Sequence, residues 1–218
     1  MQIQIYINKN IRNNTKYNEL YTHWYRVWKQ AYTEDFNIDS KISSDYFSTQ
    51  DIFITLEEKD SICGLITLKY FDLSSKCDLD NSYFDHWPAE QILQLQNVGR
   101  HYFSCGNLSI DKEYRSKKYQ ETHPLKDILF AAVREILMMT KCDGVISSTR
   151  NKKSVNLSAY RTGALPLLQN VEFKISGQPV DLLLWHREYL KEYDNQSLEV
   201  FIQNQMNSQG EFNEYQNI

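Results

Sequence analysis

The chain opens on alternating apolar and polar residues and continues with apolar residues at helical spacing. Ile3, Ile5 and Ile7 alternate with polar neighbours, which predicts a half-buried strand over residues 2–7. Apolar side chains then recur every three or four residues, which predicts an amphipathic helix over about 15–32. They are Tyr17, Leu20, Tyr21, Trp24, Val27, Trp28 and Ala31. Residues 35–51 show no clean period and are predicted to form a loop with room for a short helix.

The next part of the chain predicts a hairpin and then an insertion. Two β-rich runs over 52–57 and 61–70 are separated by three polar residues, which is typical of a hairpin. The pattern blurs over 71–99, where Asp, Ser and Asn are frequent and Pro88 opens a short helix. We interpret this segment as an insertion between two strands, a position at which substrate-specific structure is often found.

The second half of the chain predicts regular alternation of strands and helices. Strands are predicted at 101–110, 144–148, 165–175 and 180–185. Residues 111–122 are predicted to form a loop, and a long helix follows Pro124. Its apolar positions are Leu125, Ile128, Leu129, Ala132, Val133, Ile136 and Leu137. Further helices are predicted at 152–162, ending at a left-handed Gly163, and at 186–206.

This order of elements predicts a single α/β domain. The sequence shows no repeat and no linker, and 218 residues with 41% hydrophobic and 13% aromatic content suffice for one substantial core but are short for two. We expect the domain to span 1–207, with the insertion at about 71–99, and residues 208–218 to form a flexible tail.

Charge and cysteine content narrow the possible functions. The formal net charge of −4 argues against a nucleic-acid partner, so any anion-binding site must be local. The four cysteines are far apart and have no histidine at metal-ligand spacing, which predicts neither a disulfide framework nor a metal site. No apolar run is long enough to span a bilayer and no export signal is visible, so we expect a soluble cytoplasmic protein.

The strongest local signal is the basic segment Gly-Asn-Leu-Ser-Ile-Asp-Lys-Glu-Tyr-Arg-Ser-Lys-Lys-Tyr at 106–119. A strand leads into a loop that places four basic residues shortly before a long helix, with Glu113 as the one acid among them. These residues are Lys112, Arg115, Lys117 and Lys118. The free N–H groups and the dipole at a helix N-terminus are positive, as these four side chains are. The pattern therefore predicts an anion site, with a diphosphate as the favoured ligand. The alternative is a solvated basic loop without a ligand.

These residues resemble the GCN5-related N-acetyltransferase superfamily. Leu108 and Ile110 match its Leu-x-Val strand, and Glu113, Tyr114 and Arg115 match the turn that follows. The resemblance implies a mixed, mainly antiparallel sheet flanked by helices on both faces, with acyl-CoA as co-substrate. It implies a cofactor-binding segment made of Leu108, Ser109, Ile110, Arg115, Ser116, Lys117, Lys118, Tyr119 and Gln120. Lys118 and Gln120 stand where the family has glycines, so side chains must replace part of that loop's function.

A second segment, Asn-Leu-Ser-Ala-Tyr-Arg-Thr-Gly-Ala at 156–164, resembles the family's Asn…Tyr…Gly segment in shortened form. The resemblance implies that Asn156 lies near the pantetheine arm. It also implies that the Tyr160 hydroxyl protonates the departing thiolate, a role suited to a phenol. The alternative for Tyr160 is an ordinary helix residue that packs on the sheet.

The layout is closest to one branch, the autoinducer synthases and long-chain N-acyl amino acid synthases. That branch also lacks the glycine-rich loop, and its helix opens with Leu-Phe, as Leu129 and Phe130 do here. The arginine expected after the hairpin glycine is not evident after Gly64, and Ser104 and Cys105 stand where an acid is expected. The resemblance therefore implies acyl transfer rather than homoserine lactone synthesis.

The implied function is an N-acyltransferase that moves an acyl group from acyl-CoA or an acyl carrier protein to the amine of a small molecule or amino acid. His101 is the candidate base because of its pKa range, with a purely structural histidine as the alternative. An acidic carrier protein would also use outward lysines such as Lys112 and Lys152. The aromatic stripe of the first helix is a candidate wall for an acyl chain.

Two further expectations complete this interpretation. We expect a monomer or a homodimer with no metal. The competing class is a catalytically eroded acyl-CoA-binding or regulatory module of the same fold, which the missing glycines would permit.

Overall fold

The structure, a computed structural model, describes residues 1–36, 42–119, 123–173, 177–192 and 202. The strands are β1 (Gln2–Ile7), β2 (Ile52–Glu58), β3 (Ser61–Asp72), β4 (His101–Ile110), β5 (Lys118–Tyr119), β6 (His123–Pro124), β7 (Gly144–Arg150), β8 (Leu165–Phe173) and β9 (Gln178–His186). The helices are α1 (Asn8–Ile11), α2 (Thr15–Phe36), α3 (Asp45–Ser48), α4 (Lys76–Leu79), α5 (Ala89–Val98), α6 (Leu125–Met139), α7 (Val155–Arg161) and α8 (Arg187–Glu192). Short 3-10 turns occupy Ser82–Phe84, Lys112–Tyr114 and Lys152–Ser154.

Seven strands form one mixed sheet in the order β1-β2-β3-β4-β7-β9-β8, and β5 pairs with β6 in a separate small ribbon. Every neighbouring pair in the large sheet is antiparallel except β4 and β7, which run parallel. Because β7 follows β4 through α6, the parallel pair has the crossover connection that such pairs require. The mixed, mainly antiparallel sheet predicted above is confirmed.

The two central strands separate after a short stretch of pairing. The ladder between β4 and β7 joins only Tyr102–Ser104 to Gly144–Ile146. Beyond it, β4 stays paired with β3 as far as Ile110, while β7 stays paired with β9 as far as Arg150. The sheet is therefore split into two halves that share one end and diverge toward the other.

A β-bulge lies at the start of this divergence. In the register of β4 with β3, Gly106 pairs with Thr67 and Ser109 with Leu65, so β4 has one residue more than its partner. Asn107 has a φ of 55°, in the left-handed region. An extra residue bends the strand that contains it, and here it turns β4 away from β7.

Helices cover both faces of the sheet, as predicted. Alternate residues of a strand point to opposite faces, so Phe103 of β4 packs with α6, whereas Tyr102 packs with the segment between β3 and β4. The second face is completed by α2, whose buried Trp24 packs with Phe53 and Leu65. The gap between β4 and β7 thus lies between two helical layers.

Most predicted elements are present, with different bounds in several places. Helix α2 continues to Phe36, and the loop predicted at 111–122 contains a 3-10 turn and a strand of the small ribbon. Gly163 has a φ of 93° and ends α7 in the predicted left-handed conformation. Of the helix predicted at 186–206, the structure describes α8 over Arg187–Glu192, and residues 193–201 and 203–218, including the predicted tail, lie outside the described part of the chain. The division into domain, insertion and tail stays a prediction.

The described residues also show whether a helix could span a membrane and whether the cysteines are paired. No helix among them is both long and apolar enough to cross a membrane. All four cysteines are present as free thiols, three of them buried.

Candidate active site

A cavity of about 410 Å³ occupies the gap between β4 and β7. Its walls come from both strands and from the helices on both faces, so the cavity extends through the plane of the sheet. The lining residues are Val27, Trp28, Ala31, Ile66, Cys105, Gly106, Asn107, Leu108, Ile110, Arg115, Lys126, Phe130, Ser147, Ser148, Thr149, Arg150, Lys152, Lys153 and Val155. An extended ligand could therefore pass from the α6 side of the sheet to the α2 side.

The cavity is lined by positive charge. Five of the lining residues are basic, and none of the described lining residues is acidic. The five are Arg115, Lys126, Arg150, Lys152 and Lys153. In a chain with a net charge of −4, this concentration makes the cavity suited to an anionic ligand.

Lys126, in the first turn of α6, is tied to the loop after β7. Its Nζ donates to the carbonyl oxygens of Lys153 at 2.8 Å and Ser154 at 3.0 Å. Lys153 and Ser154 have φ values of 59° and 54°, so the backbone turns sharply there. Burial is the main reason that the pKa of Lys126 lies below its ordinary value. An anion bound in the cavity would stabilise its charged form.

The one acid in the first turn of α6 is neutralised by a partner. Both oxygens of Asp127 accept hydrogen bonds from Arg161, at distances of 2.8 and 2.9 Å. An unpaired carboxylate at this helix end would repel an anion. The Asp127–Arg161 pair removes that repulsion and fixes α7 against α6.

Two tryptophans of α2 hold the bulged part of β4 from the opposite face. The indole Nε1 of Trp24 donates to Asn107 Oδ1 at 3.2 Å, and that of Trp28 donates to Ser109 Oγ at 3.0 Å. The Asn107 amide in turn donates to Thr67 Oγ1 at 3.0 Å. These bonds fix a residue with positive φ, so they stabilise the bend that opens the cavity.

The edge of β4 that borders the cavity offers backbone groups to a ligand. Beyond Ser104 this edge has no ladder partner on the β7 side within the described ranges. Four carbonyls of β4 beyond Ser104 already accept side-chain hydrogen bonds: Cys105 O from Ser147 Oγ at 2.9 Å, Gly106 O from Thr67 Oγ1 at 3.3 Å, Asn107 O from Ser109 Oγ at 2.8 Å and Ile110 O from Arg115 Nε at 3.0 Å. An amide-containing arm lying along β4 could pair with the remaining backbone groups as a further strand would.

The predicted cofactor residues fall into three groups. Leu108, Ile110 and Arg115 line the cavity, as their assigned role requires. The Ser109 side chain instead points toward α2, and Lys117 Nζ lies 3.7 Å from the centroid of the Tyr114 ring. Ser116 and Lys118 are exposed outside the cavity lining, while the Tyr119 side chain and all of Gln120 lie outside the described part.

His101 lies at the paired end of β4 and is not among the residues that line the cavity. It begins β4 at the paired end of the strands, and its Nδ1 lies 2.5 Å from the Tyr70 hydroxyl. Four residues at about 3.3 Å each separate it from Cys105, the first residue of β4 that lines the cavity, so the two lie roughly 13 Å apart along the strand. The sequence could not distinguish the two ends of β4, and the role of His101 as base stays a prediction that its position at the paired end does not support.

Asn156 and Tyr160 meet at a buried carboxylate that the sequence did not single out. Asp181 Oδ2 on β9 accepts from Asn156 Nδ2 at 2.9 Å and from the Tyr160 hydroxyl at 2.5 Å, and Asp181 is only 1% exposed. Its other oxygen accepts from the Asn170 amide at 3.0 Å. Neither Asn156 nor Tyr160 belongs to the cavity lining, and the Tyr160 proton is directed at Asp181.

The carboxyl and the phenol influence each other's pKa. Burial raises the pKa of the Tyr160 phenol, and its bond to Asp181 raises it further. Burial of Asp181 acts to raise its own pKa, but the hydrogen bonds from Tyr160, Asn156 and the Asn170 amide outweigh that effect and lower it. The folded state therefore gains stability from the ionised carboxylate.

We expect Tyr160→Phe to destabilise the fold by about 1–3 kcal/mol, because a buried acceptor loses one donor. The pKa of Asp181 is lower in the folded state than in the unfolded state. Its contribution to the free energy of unfolding is therefore fully present above its unfolded-state pKa and is lost as the pH falls through its folded-state pKa. The deficit of the variant should therefore be largest near neutrality and shrink in acid, as measured by urea unfolding at several pH values. A normal unfolding curve with a collapsed kcat would instead support the thiolate-protonating role.

Sequence reasoning missed several cavity residues. Lys126 has one sequence signal, its place in the first turn of the helix that follows the basic segment. Ser148 and Arg150 have none, because only the topology brings the end of β7 beside β4.

No protein-family model and no curated protein sequence matches this chain.

Comparison with solved structures identifies the fold as that of the GCN5-related N-acetyltransferase superfamily. One similar structure is FeeM, an N-acyl amino acid synthase from uncultured soil microbes, with a TM-score of 0.59 and 12% identity over 91% of this chain and 96% of that chain. Another is the CoA-dependent acyl-homoserine lactone synthase BjaI, with a TM-score of 0.58 and 13% identity over 92% and 89% of the two chains. A mutant agmatine N-acetyltransferase gives 0.55 and 11% over 85% and 100%.

Proposed function

We propose that this protein is an N-acyltransferase that moves an acyl group from a CoA thioester to the amine of a small molecule. The observation that supports this most directly is the cation-lined cavity between β4 and β7. It combines a strand edge for an amide-containing arm with basic residues for a diphosphate. Proteins of the same fold are described as acting with CoA, including BjaI, whose structure contains isopentyl-CoA.

In this proposal each wall of the cavity has a separate role. Lys126, Lys153 and Arg115 hold the diphosphate, because charge-assisted hydrogen bonds to phosphate are strong and short. The exposed edge of β4 holds the pantetheine arm and aligns the thioester. Its backbone N–H groups polarise the thioester carbonyl as negative charge develops on the oxygen during attack. Positioning of two reactants supplies much of the remaining rate enhancement.

We further propose that the acceptor amine bears a carboxylate, as in an amino acid. On the α2 side of the cavity, the Arg150 guanidinium lies 5.2 Å from the Trp28 ring centroid and 5.6 Å from that of Tyr32. A guanidinium has five donors in a planar fork that matches a carboxylate. FeeM, which shares the fold, is named an N-acyl amino acid synthase.

The test is thiol release from acetyl-, octanoyl- and palmitoyl-CoA across paired amines. Each amino acid is compared with the amine that lacks its carboxylate, for example tyrosine with tyramine. We expect amine-dependent thiol release, with the amino acid favoured by about 10-fold or more, the range for one charged hydrogen bond. Stabilisation by CoA without turnover would instead support the non-catalytic module.

Three points of the sequence interpretation stay predictions. An acyl carrier protein is the second candidate donor, since it presents the same pantetheine arm and its acidic surface would meet the lysines beside the cavity. A monomeric or homodimeric state and a cytoplasmic location are likewise expectations. Replacing CoA by acyl carrier protein in the thiol-release assay tests the donor.

A further inference from the structure

A serine and a histidine are hydrogen-bonded on the α2-side face of β7. The Oγ of Ser148 lies 2.5 Å from His86 Nε2 and accepts from Trp87 Nε1 at 3.1 Å. Ser148 is partly exposed and lines the cavity, whereas His86 lies behind it and is 9% exposed. His86 belongs to the segment between β3 and β4. Its imidazole does not line the cavity itself but contacts it through the Ser148 hydroxyl.

We propose that Ser148 and His86 form a proton relay that deprotonates the acceptor ammonium. This inference rests on the proposed function, which requires a neutral amine at the thioester and leaves its base unassigned. None of the described cavity residues is a carboxylate or a histidine, so a histidine base would have to act through a lining residue. Ser148 is the lining residue whose hydroxyl contacts an imidazole.

The hydrogen bonds around Ser148 fit this role. A serine hydroxyl has one proton and two lone pairs. One lone pair accepts from Trp87. In the tautomer that carries its proton on Nδ1, His86 Nε2 accepts the serine proton, and the proposed relay requires this tautomer. In the proposed relay the second lone pair accepts from an ammonium N–H in the cavity, in competition with the buried Tyr83 hydroxyl beside Ser148. In this arrangement the Ser148 hydroxyl accepts a proton from the ammonium in the cavity and donates its own proton to His86.

The proton balance is complete without a further reactant. An ammonium N–H bond breaks and its proton passes to Ser148 Oγ, while the serine proton passes to His86 Nε2. The neutral amine attacks the thioester carbon, the new C–N bond forms, and the C–S bond breaks. The second amine proton neutralises the thiolate, and His86 releases its proton to solvent, so each turnover gives one amide, one thiol and one proton.

Aromatic rings pack around His86 in the described part of the chain. Its ring packs edge-to-face on Phe173, with centroids 4.7 Å apart, and lies 6.2 Å from Tyr83. Tyr83, Asp85, Arg150 and Glu172 are the titratable or charged residues on the described segments packed against it: its own turn, the same face of β7, and β8 beside Phe173. A pH profile assigned to His86 must therefore be separated from effects of these four residues by variants of the relay itself.

The test compares kcat/KM against pH in four variants. His86→Gln and Ser148→Ala are each expected to lower kcat/KM at neutral pH by about 100-fold or more, the usual contribution of general base catalysis. Both should change the acid limb of the wild-type profile, which a purely structural role would not do. Ser148→Thr should retain most of the activity because threonine keeps the hydroxyl. Ser148→Val, which has the shape of threonine but no hydroxyl, should not.

Controls separate this inference from folding and from the proposed function. His186→Gln, at the far end of β9, should leave the rate and the profile unchanged, and thermal unfolding should show that the Ser148→Thr and Ser148→Val variants are equally stable. Equal rates for these two variants would overturn the relay, as would an acyl adduct on Ser148 in intact-mass spectra. Wild-type protein that releases no thiol with any amine would overturn the proposed function itself.

Discussion

Replacing Gly106 by tryptophan is expected to abolish turnover of acyl-CoA while leaving the fold intact. Gly106 lines the cavity, and a Cβ placed on it would meet no atom within 4 Å. Its φ lies outside the left-handed region, so a larger residue adds no backbone strain. An indole there would occupy the space between β4 and β7 that the pantetheine arm needs. We expect kcat/KM to fall at least about 100-fold, since even a 1 Å misplacement of reactants can have that effect.

The matched control is Gly106→Ala, whose single methyl group occupies open space and should leave the activity close to that of the wild type. Thermal unfolding of both variants checks that the sheet is preserved, and thermal stabilisation by CoA reports binding. A Gly106→Trp variant that is folded, still binds CoA and still turns over would show that the thioester lies elsewhere.

The sequence predicted the scaffold well because its elements have strong local patterns. Strand β4 and helix α6 have the apolar spacing of their class, and Pro124 and Gly163 mark helix ends through their own backbone preferences. These signals need only neighbouring residues. The order of strands and helices followed from them, and with it the expectation of a sheet covered on both faces.

The candidate site was harder to predict because distant segments build it. The bulge at Asn107 depends on Trp24, which is 83 residues away in sequence. His86 and Ser148 are 62 residues apart, and they are in contact because the segment between β3 and β4 packs on β7. A basic run such as Lys117 and Lys118 is visible in the sequence, but contacts decide which basic residues reach the cavity. Lys126 and Arg150 do so.

The position of His101 also shows why contacts between distant segments could not be predicted from the sequence. His101 stands at the start of the strand that leads to the site, so proximity in sequence favoured it. In the fold, β4 has one end locked to β7 and one end open, and Asp143 Oδ2 accepts from the His101 amide at 2.8 Å at the locked end. The cavity lies toward the opposite end, where Ser148 of its lining contacts His86.

Removing positive charge from the cavity is expected to weaken use of CoA thioesters selectively. In Lys126→Met the aliphatic stem stays and the charge is lost, so packing is largely kept. One charge-assisted bond to a diphosphate contributes about 1.5–3 kcal/mol, which corresponds to roughly a 10- to 100-fold lower kcat/KM. Combining Lys126→Met with Arg115→Met should lower it further. Because the two side chains line the same cavity, the effects need not be additive.

A truncated donor makes this prediction specific to the diphosphate. An N-acetylcysteamine thioester retains the reacting group but has no phosphate, so the Lys126→Met variant should process it as well as the wild type does. Lys191→Met, in α8 and paired with Glu188 at 2.7 Å, is the control for loss of a surface charge. If Lys126→Met weakens both donors equally, the lysine acts by holding the Lys153 carbonyl and the loop after β7. The diphosphate would then have to be bound by the other cations of the cavity.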